Sequence, residues 1–221
     1  MPAADFSSDR KHTVCITGHR EKNILPYGGN SLYREITVST VKTLLFRYID
    51  MAVEKGYTDF FSGLAMGTDL WAAEYILKKR CVNKKVRLIG VMPYLRHAEG
   101  FSREYIRLLG IVENEADVLL TVNEKHDIVY RSIKSDEEAF NLYRNRNYYM
   151  VDGSDAVIAF LNRGCFASGT SQTVNYANRR GRKVCRFGIE DVYGIIDKAG
   201  PDIRLIGREI QFLDNAFDLP Y

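Results

Sequence analysis

The sequence predicts an α/β fold: a doubly wound, mainly parallel sheet with helices on both faces. Two observations carry this. Short apolar runs alternate with helix-period segments along most of the 221 residues, the pattern that builds a parallel sheet by right-handed crossovers. In addition, three of those runs end in small, glycine-containing turns that open directly into a helix, which places helix N-termini at the carboxyl edge of the sheet.

The elements follow in order. Residues 13–16 (Thr-Val-Cys-Ile) form a β-rich run ending in Thr17-Gly18-His19-Arg20, after which the loop passes through Pro26 and the pair Gly28-Gly29. Residues 32–55 have helical period, with Val41, Leu44, Leu45, Tyr48 and Ala52 at spacings of three and four and Gly56 as the stop. Residues 58–61 form a second strand. The turn Ser62-Gly63-Leu64-Ala65-Met66-Gly67-Thr68-Asp69 then leads into a helix through Leu70, Ala73 and Leu77. The basic residues that follow, such as Lys78, Lys79 and Arg80, read as a solvated helix end.

Residues 86–91 are nearly all apolar, as a strand buried on both faces is, and Pro93 ends the ladder. A helix is expected over 96–109 and a fourth strand over 117–122. The polar interval 123–138 is long for a connection and reads either as a lid over the sheet edge or as a surface excursion. A helix over 138–150, a strand over 156–161, a helix over 170–180 and a strand over 183–187 complete the alternation. Asp152 and Asp155 are read as capping or turning residues before the strand. The expected division is a main domain over 1–188 and a C-terminal helix and arm over 189–221, packed on that domain or on a second subunit.

Bulk properties narrow the function. The composition, 46% hydrophobic and 27% charged, is that of an ordinary folded domain, and the net charge of +3 falls short of a dedicated nucleic-acid binder. No apolar run has the length of a membrane span or the character of a signal peptide, so a cytoplasmic protein without a membrane partner is expected. Cys15, Cys81, Cys165 and Cys185 are far apart and lack metal-ligand spacing. They read as reduced thiols, and no metal or cofactor is expected.

The turn Ala167-Ser168-Gly169-Thr170, after strand 156–161, would present free N–H groups and the positive end of a helix dipole to a ligand, which is a phosphate site in outline. Gly169 permits close approach, Thr170 and Thr173 supply hydroxyls, and Arg146 supplies a cationic fork. Asp69 has two readings, a helix cap or an acceptor for ribose hydroxyls. His19 reads as a hydrogen-bond donor rather than a base, and Arg20 as either a phosphate contact or a structural ion-pair partner.

With these strand ends in view, the sequence resembles the YpsA-like family of the SLOG superfamily, Rossmann-like proteins proposed to sense or process nucleotide derivatives. The resemblance runs over about 14–184 and rests on Thr17-Gly18-His19-Arg20, Ser62-Gly63-Leu64-Ala65-Met66-Gly67, Arg146-Asn147 with Met150, and Ser168-Gly169-Thr170 with Thr173. It implies a nucleotide site made of Gly18, His19, Arg20, Gly63, Ala65, Gly67, Asp69, Arg146, Asn147, Ser168, Gly169, Thr170 and Thr173, and a homodimer.

Two related families imply rival functions. LOG-type phosphoribohydrolases, similar at Arg146, Met150, Ser154, Asp155 and the turn 167–170, cleave the base from a nucleoside monophosphate. They carry a glutamate after that turn, where this chain has Ser171-Gln172-Thr173. An amide cannot shuttle a proton near neutral pH, and the lost carboxylate removes electrostatic stabilisation of the developing cation. DprA, similar at Ser62-Gly63-Leu64-Ala65 with Gly67 and Asp69, loads single-stranded DNA. That use would draw on Tyr143, Tyr148 and Tyr149 with Arg144 and Arg146 as a stacking platform. The expectation is nucleotide binding as a sensor, with no residue assigned to catalysis; glycosidic cleavage and DNA binding are the alternatives.

Overall fold

The computed structural model describes residues 1–24, 31–124 and 128–218. Six parallel strands, β1 (Thr13–Gly18), β2 (Asp59–Ser62), β3 (Arg87–Met92), β4 (Val118–Thr121), β5 (Ala156–Phe160) and β6 (Lys183–Phe187), form one sheet in the order β4-β3-β2-β1-β5-β6. Chain order reverses at β1, which pairs with β2 on one side and β5 on the other. The connections after β1 and β5 therefore diverge and leave a crevice at the carboxyl edge, the usual place for a ligand in such folds.

The pleat sorts each strand's side chains between two cores. Val14 and Ile16 of β1, with Ala156, Ile158 and Phe160 of β5, join one cluster, while Cys15, Val157 and Ala159 join the other. The first cluster is covered by α1 (Ser31–Glu54), α2 (Thr68–Val82), α3 (Arg103–Glu115), α6 (Ile189–Ala199) and α7 (Ile203–Gln211). The second is covered by α4 (Asp136–Asp152) and α5 (Gly169–Arg179) together with the N-terminal residues Ala3 and Phe6. Two-sided burial is why the strands read as unbroken apolar runs.

The helix expected over 96–109 forms later. Arg96 takes a left-handed backbone (φ 60°), turns continue to Gly100, and α3 starts only after Ser102 in extended conformation. Helical periodicity in that stretch begins before the backbone can follow it. The expected lid interval resolves into a short 3-10 turn, Tyr130–Ser132, and the first turns of α4, capped by the Ser135 hydroxyl accepting from the Glu138 N–H. Residues 125–127 of that interval, like Pro26, Gly28 and Gly29, lie outside the described residues. Asp152 does not cap: it accepts from the Tyr176 hydroxyl and Arg180, tying α4 to α5, and Asp155 accepts from the Tyr57 hydroxyl.

The C-terminal arm lies on its own chain. Ile206 and Ile210 of α7 enter the first core, Asn215 donates to the Met51 carbonyl, and Phe217 packs against Tyr57. No described helix is long and apolar enough to cross a membrane.

Candidate functional site

A cavity of about 310 Å³ opens where the loops after β1 and β5 part. Most of the residues singled out in the sequence line it. Gly18 ends β1 and His19 and Arg20 follow it, Ala65 comes from the turn between β2 and α2, Asp69 from the first turn of α2, and Arg146 and Asn147 from α4. Ser168, Gly169 and Thr170 come from the start of α5. Gly63, Gly67 and Thr173 do not line the cavity; they shape it from behind.

The β2–α2 turn is built around contacts that exclude side chains. Gly67 has φ 90°, and a Cβ there would meet the Glu21 N–H and the His19 carbonyl at 2.7 and 3.0 Å. A Cβ on Gly63 would overlap the Arg146 guanidinium. Leu64, fully buried, also holds a left-handed backbone (φ 54°), a conformation that costs a branched residue about 1–3 kcal/mol and gathers at functional turns. The turn is lashed to β1 by the Thr68 hydroxyl, which donates to the His19 carbonyl at 2.9 Å.

Arg146 reaches across from α4 and is only 4% exposed. Its Nη1 donates to the Gly63 carbonyl and lies 3.6 Å from Asp69 Oδ2, so it is first a clasp between α4 and the β2–α2 turn. The sequence reading gave it a purely ligand-facing role; the structure adds this structural one, because the guanidinium must neutralise a buried carboxylate. Its Nε is buried without a hydrogen-bond partner among the described residues. Burial lowers the Arg146 pKa, and Asp69 counters that. Burial raises Asp69 to about 6, against the pull of Arg146 and of the Ala65 N–H, which it accepts at 3.4 Å. Asp69 is therefore not a helix cap: Gly67 holds the N-cap position of α2, and the carboxylate folds back over the turn. Among the described residues lining the cavity it is the only carboxylate.

His19 does not act as expected at Nε2, which accepts from the Asn162 N–H at 3.2 Å. That bond fixes the neutral tautomer with the proton on Nδ1, and burial lowers the ring's pKa. The nitrogen that would take a proton is already engaged, which removes His19 as a base. Arg20 has no carboxylate within ion-pair distance among the described residues; its guanidinium lies 6.0 Å from the Tyr143 ring centroid.

At the start of α5 the Ser168 hydroxyl accepts from the Ser171 N–H at 3.0 Å, and Gln172 N–H bonds to the Ser168 carbonyl. The N–H groups of Gly169 and Thr170 have no intrahelical acceptor. The Asn147 amide stands beside them: its Nδ2 lies 4.0 Å from where a Gly169 Cβ would sit. Thr173 turns away, donating to the Gly169 carbonyl at 2.7 Å, and neither it nor Gln172 lines the cavity.

Sequence reading named Thr17 in a strand-end motif without assigning it to the site, missed Lys22 and Asn23, and named Tyr143 only as part of a stacking platform. The signal for Lys22 and Asn23 was position alone, in the segment that follows the strand bordering both halves of the sheet. It also passed over His97, in the segment read only as a helix over 96–109. His97 is buried behind the turn with Nε2 3.5 Å from the Leu64 carbonyl, and burial, reinforced by Arg146, pushes its pKa down to about 4. Among the described residues no cluster of His, Cys, Asp and Glu is placed to hold a metal ion.

The model of the YpsA family, described as the YspA SLOG family, matches residues 14–186. The chain belongs to this family. Membership implies the binding of nucleotide derivatives in general and names no ligand. The matched span of the YpsA family covers β1 through most of β6 and so every segment that lines the cavity. Among solved structures the chain is similar to DNA processing protein A (DprA) from Streptococcus pneumoniae, at 16% identity and a TM-score of 0.44. The alignment covers 92% of this chain and 63% of that one. No curated protein matches the sequence.

Proposed function

We propose that the cavity binds a nucleotide or another phosphoribosyl-containing derivative and that the protein works as a binding or sensing protein. The observation that carries this reading is the convergence of the Gly169 and Thr170 N–H groups with the cationic side chains of Arg20 and Lys22 on one cavity. Unpaired amides at a helix N-terminus, with the dipole behind them and cationic side chains lining the same cavity, suit a phosphate dianion. At about 310 Å³ the cavity has the size of a small-molecule pocket rather than of an extended groove for a DNA strand, which favours a small ligand.

Binding is favoured over cleavage because the groups that would assist loss of the base are off the cavity or already paired. Gln172 lies off the cavity, His19 spends Nε2 on a backbone N–H, and the charge of Asp69, though one oxygen is left for a ligand, is paired with Arg146. The reading includes a homodimer. Ile203, Leu205, Phe212 and Leu213 of the C-terminal arm keep apolar surface exposed, which favours a second subunit there.

The test is proton NMR of adenosine monophosphate with the protein over several hours. Broadened ligand lines without free adenine are the expected result. Adenine above the protein-free control would make the protein a phosphoribohydrolase, and sharp lines at millimolar ligand would remove the nucleotide reading.

A further inference from the structure

The cavity contains two chemically different ends. At the α5 end every polar group is a donor or neutral. At the floor, Asp69 and Arg146 stand side by side, 5% and 4% exposed, and neither is fully used by the protein. Asp69 spends Oδ2 on the Ala65 N–H and on Arg146, while Oδ1 accepts no hydrogen bond among the described residues and is not sealed from the cavity. Arg146 spends Nη1 on the Gly63 carbonyl, and its Nη2 likewise has no partner and is not sealed. A lone acceptor thus sits next to a lone donor at the bottom of a partly closed pocket.

A phosphate cannot use that floor, because the carboxylate repels it; it belongs at the α5 end. A neutral ligand group that both donates and accepts satisfies both atoms. From this juxtaposition we infer that the floor holds the vicinal hydroxyls of a ribose, one donating to Asp69 Oδ1 and its neighbour accepting from Arg146, so that the site selects ribo- over 2′-deoxyribo-ligands. Raised as it is to about 6, the Asp69 carboxyl is still mainly ionised at the pH 7.5 of the test below, which makes it the stronger, charged acceptor. A buried polar pair left unmatched by a deoxy sugar loses a charged hydrogen bond and gains nothing in its place. The inference rests on the nucleotide reading above and adds which residues hold the sugar, the selection against a deoxy sugar and the direction in which the ligand lies.

The experiment is isothermal titration of the protein with adenosine monophosphate and with 2′-deoxyadenosine monophosphate at pH 7.5, then the same pair with Asp69→Asn. The wild type is expected to bind the ribonucleotide about tenfold or more tightly than the deoxynucleotide. In Asp69→Asn the ratio is expected to fall to within about threefold, since a neutral amide makes a weaker acceptor. Equal affinities in the wild type would overturn the sugar assignment and leave the nucleotide reading standing. Absence of binding by both nucleotides would overturn both. A full ribose preference surviving in a folded Asp69→Asn would remove Asp69 from the role. The wild-type comparison needs no variant and decides the inference even if Asp69→Asn fails to fold.

Discussion

Gly63 and Arg146 are separated by 83 positions in the chain, yet each explains the other. The carbonyl of Gly63 takes the guanidinium, and its missing side chain is the space the guanidinium fills. Gly63→Ala is therefore expected to destabilise the protein by about 1–3 kcal/mol, the usual range for forcing volume into a packed site. Urea unfolding compared with wild type measures it, and an unchanged midpoint would show that Arg146 moves aside freely. In the sequence, Gly63 was legible as a special position only through the strand-end motif that the resemblance assigns to a nucleotide site. The actual neighbour is a side chain from another helix, and no local pattern points across the sheet edge to it. The same holds for His19. Its position at the end of β1 was readable, whereas the Asn162 N–H that claims Nε2 lies in the loop after β5 and becomes its neighbour only through the β1–β5 pairing.

Among the elements, α5 carries the assignment of the anion site. Its first residue, Gly169, needs no unusual backbone, and a Cβ there would find nothing of the protein nearer than Asn147 Nδ2 at 4.0 Å. Gly169→Ala should leave stability unchanged or slightly raised, because alanine is the better helix former. It should also weaken nucleotide binding several-fold by placing a methyl group beside the free N–H groups. Thermal melting and titration of the same sample check both halves; unchanged affinity in a folded variant would move the phosphate away from α5. The α5 start was readable because Ser168 is a good N-cap and Gly169-Thr170 follow an apolar strand. The start of α3 was not, because a left-handed backbone at Arg96 and turns up to Gly100 precede it. Helical period extends through them regardless.

On the scale of the whole molecule, the position of the site follows from one topological fact. β1 lies between β2 and β5, so the chain's two halves turn opposite ways from it and their loops leave a crevice above it. Alternating strands and helices made the parallel sheet legible, and three glycine-bearing strand ends marked its functional edge. What the alternation could not supply is which atoms are already spent. Arg146 is partly consumed by Gly63 and Asp69, and the residues free to meet a ligand emerge only once those contacts are in place. The central claim is that an anionic ligand rests on the free amides at the start of α5. The most direct measurement is an amide-resolved NMR titration of isotopically labelled protein with adenosine monophosphate. The account predicts saturable shifts that are largest at Gly169 and Thr170 and extend to the Ala65 amide. Saturable shifts confined to other parts of the surface, with Gly169 and Thr170 unmoved, would contradict it.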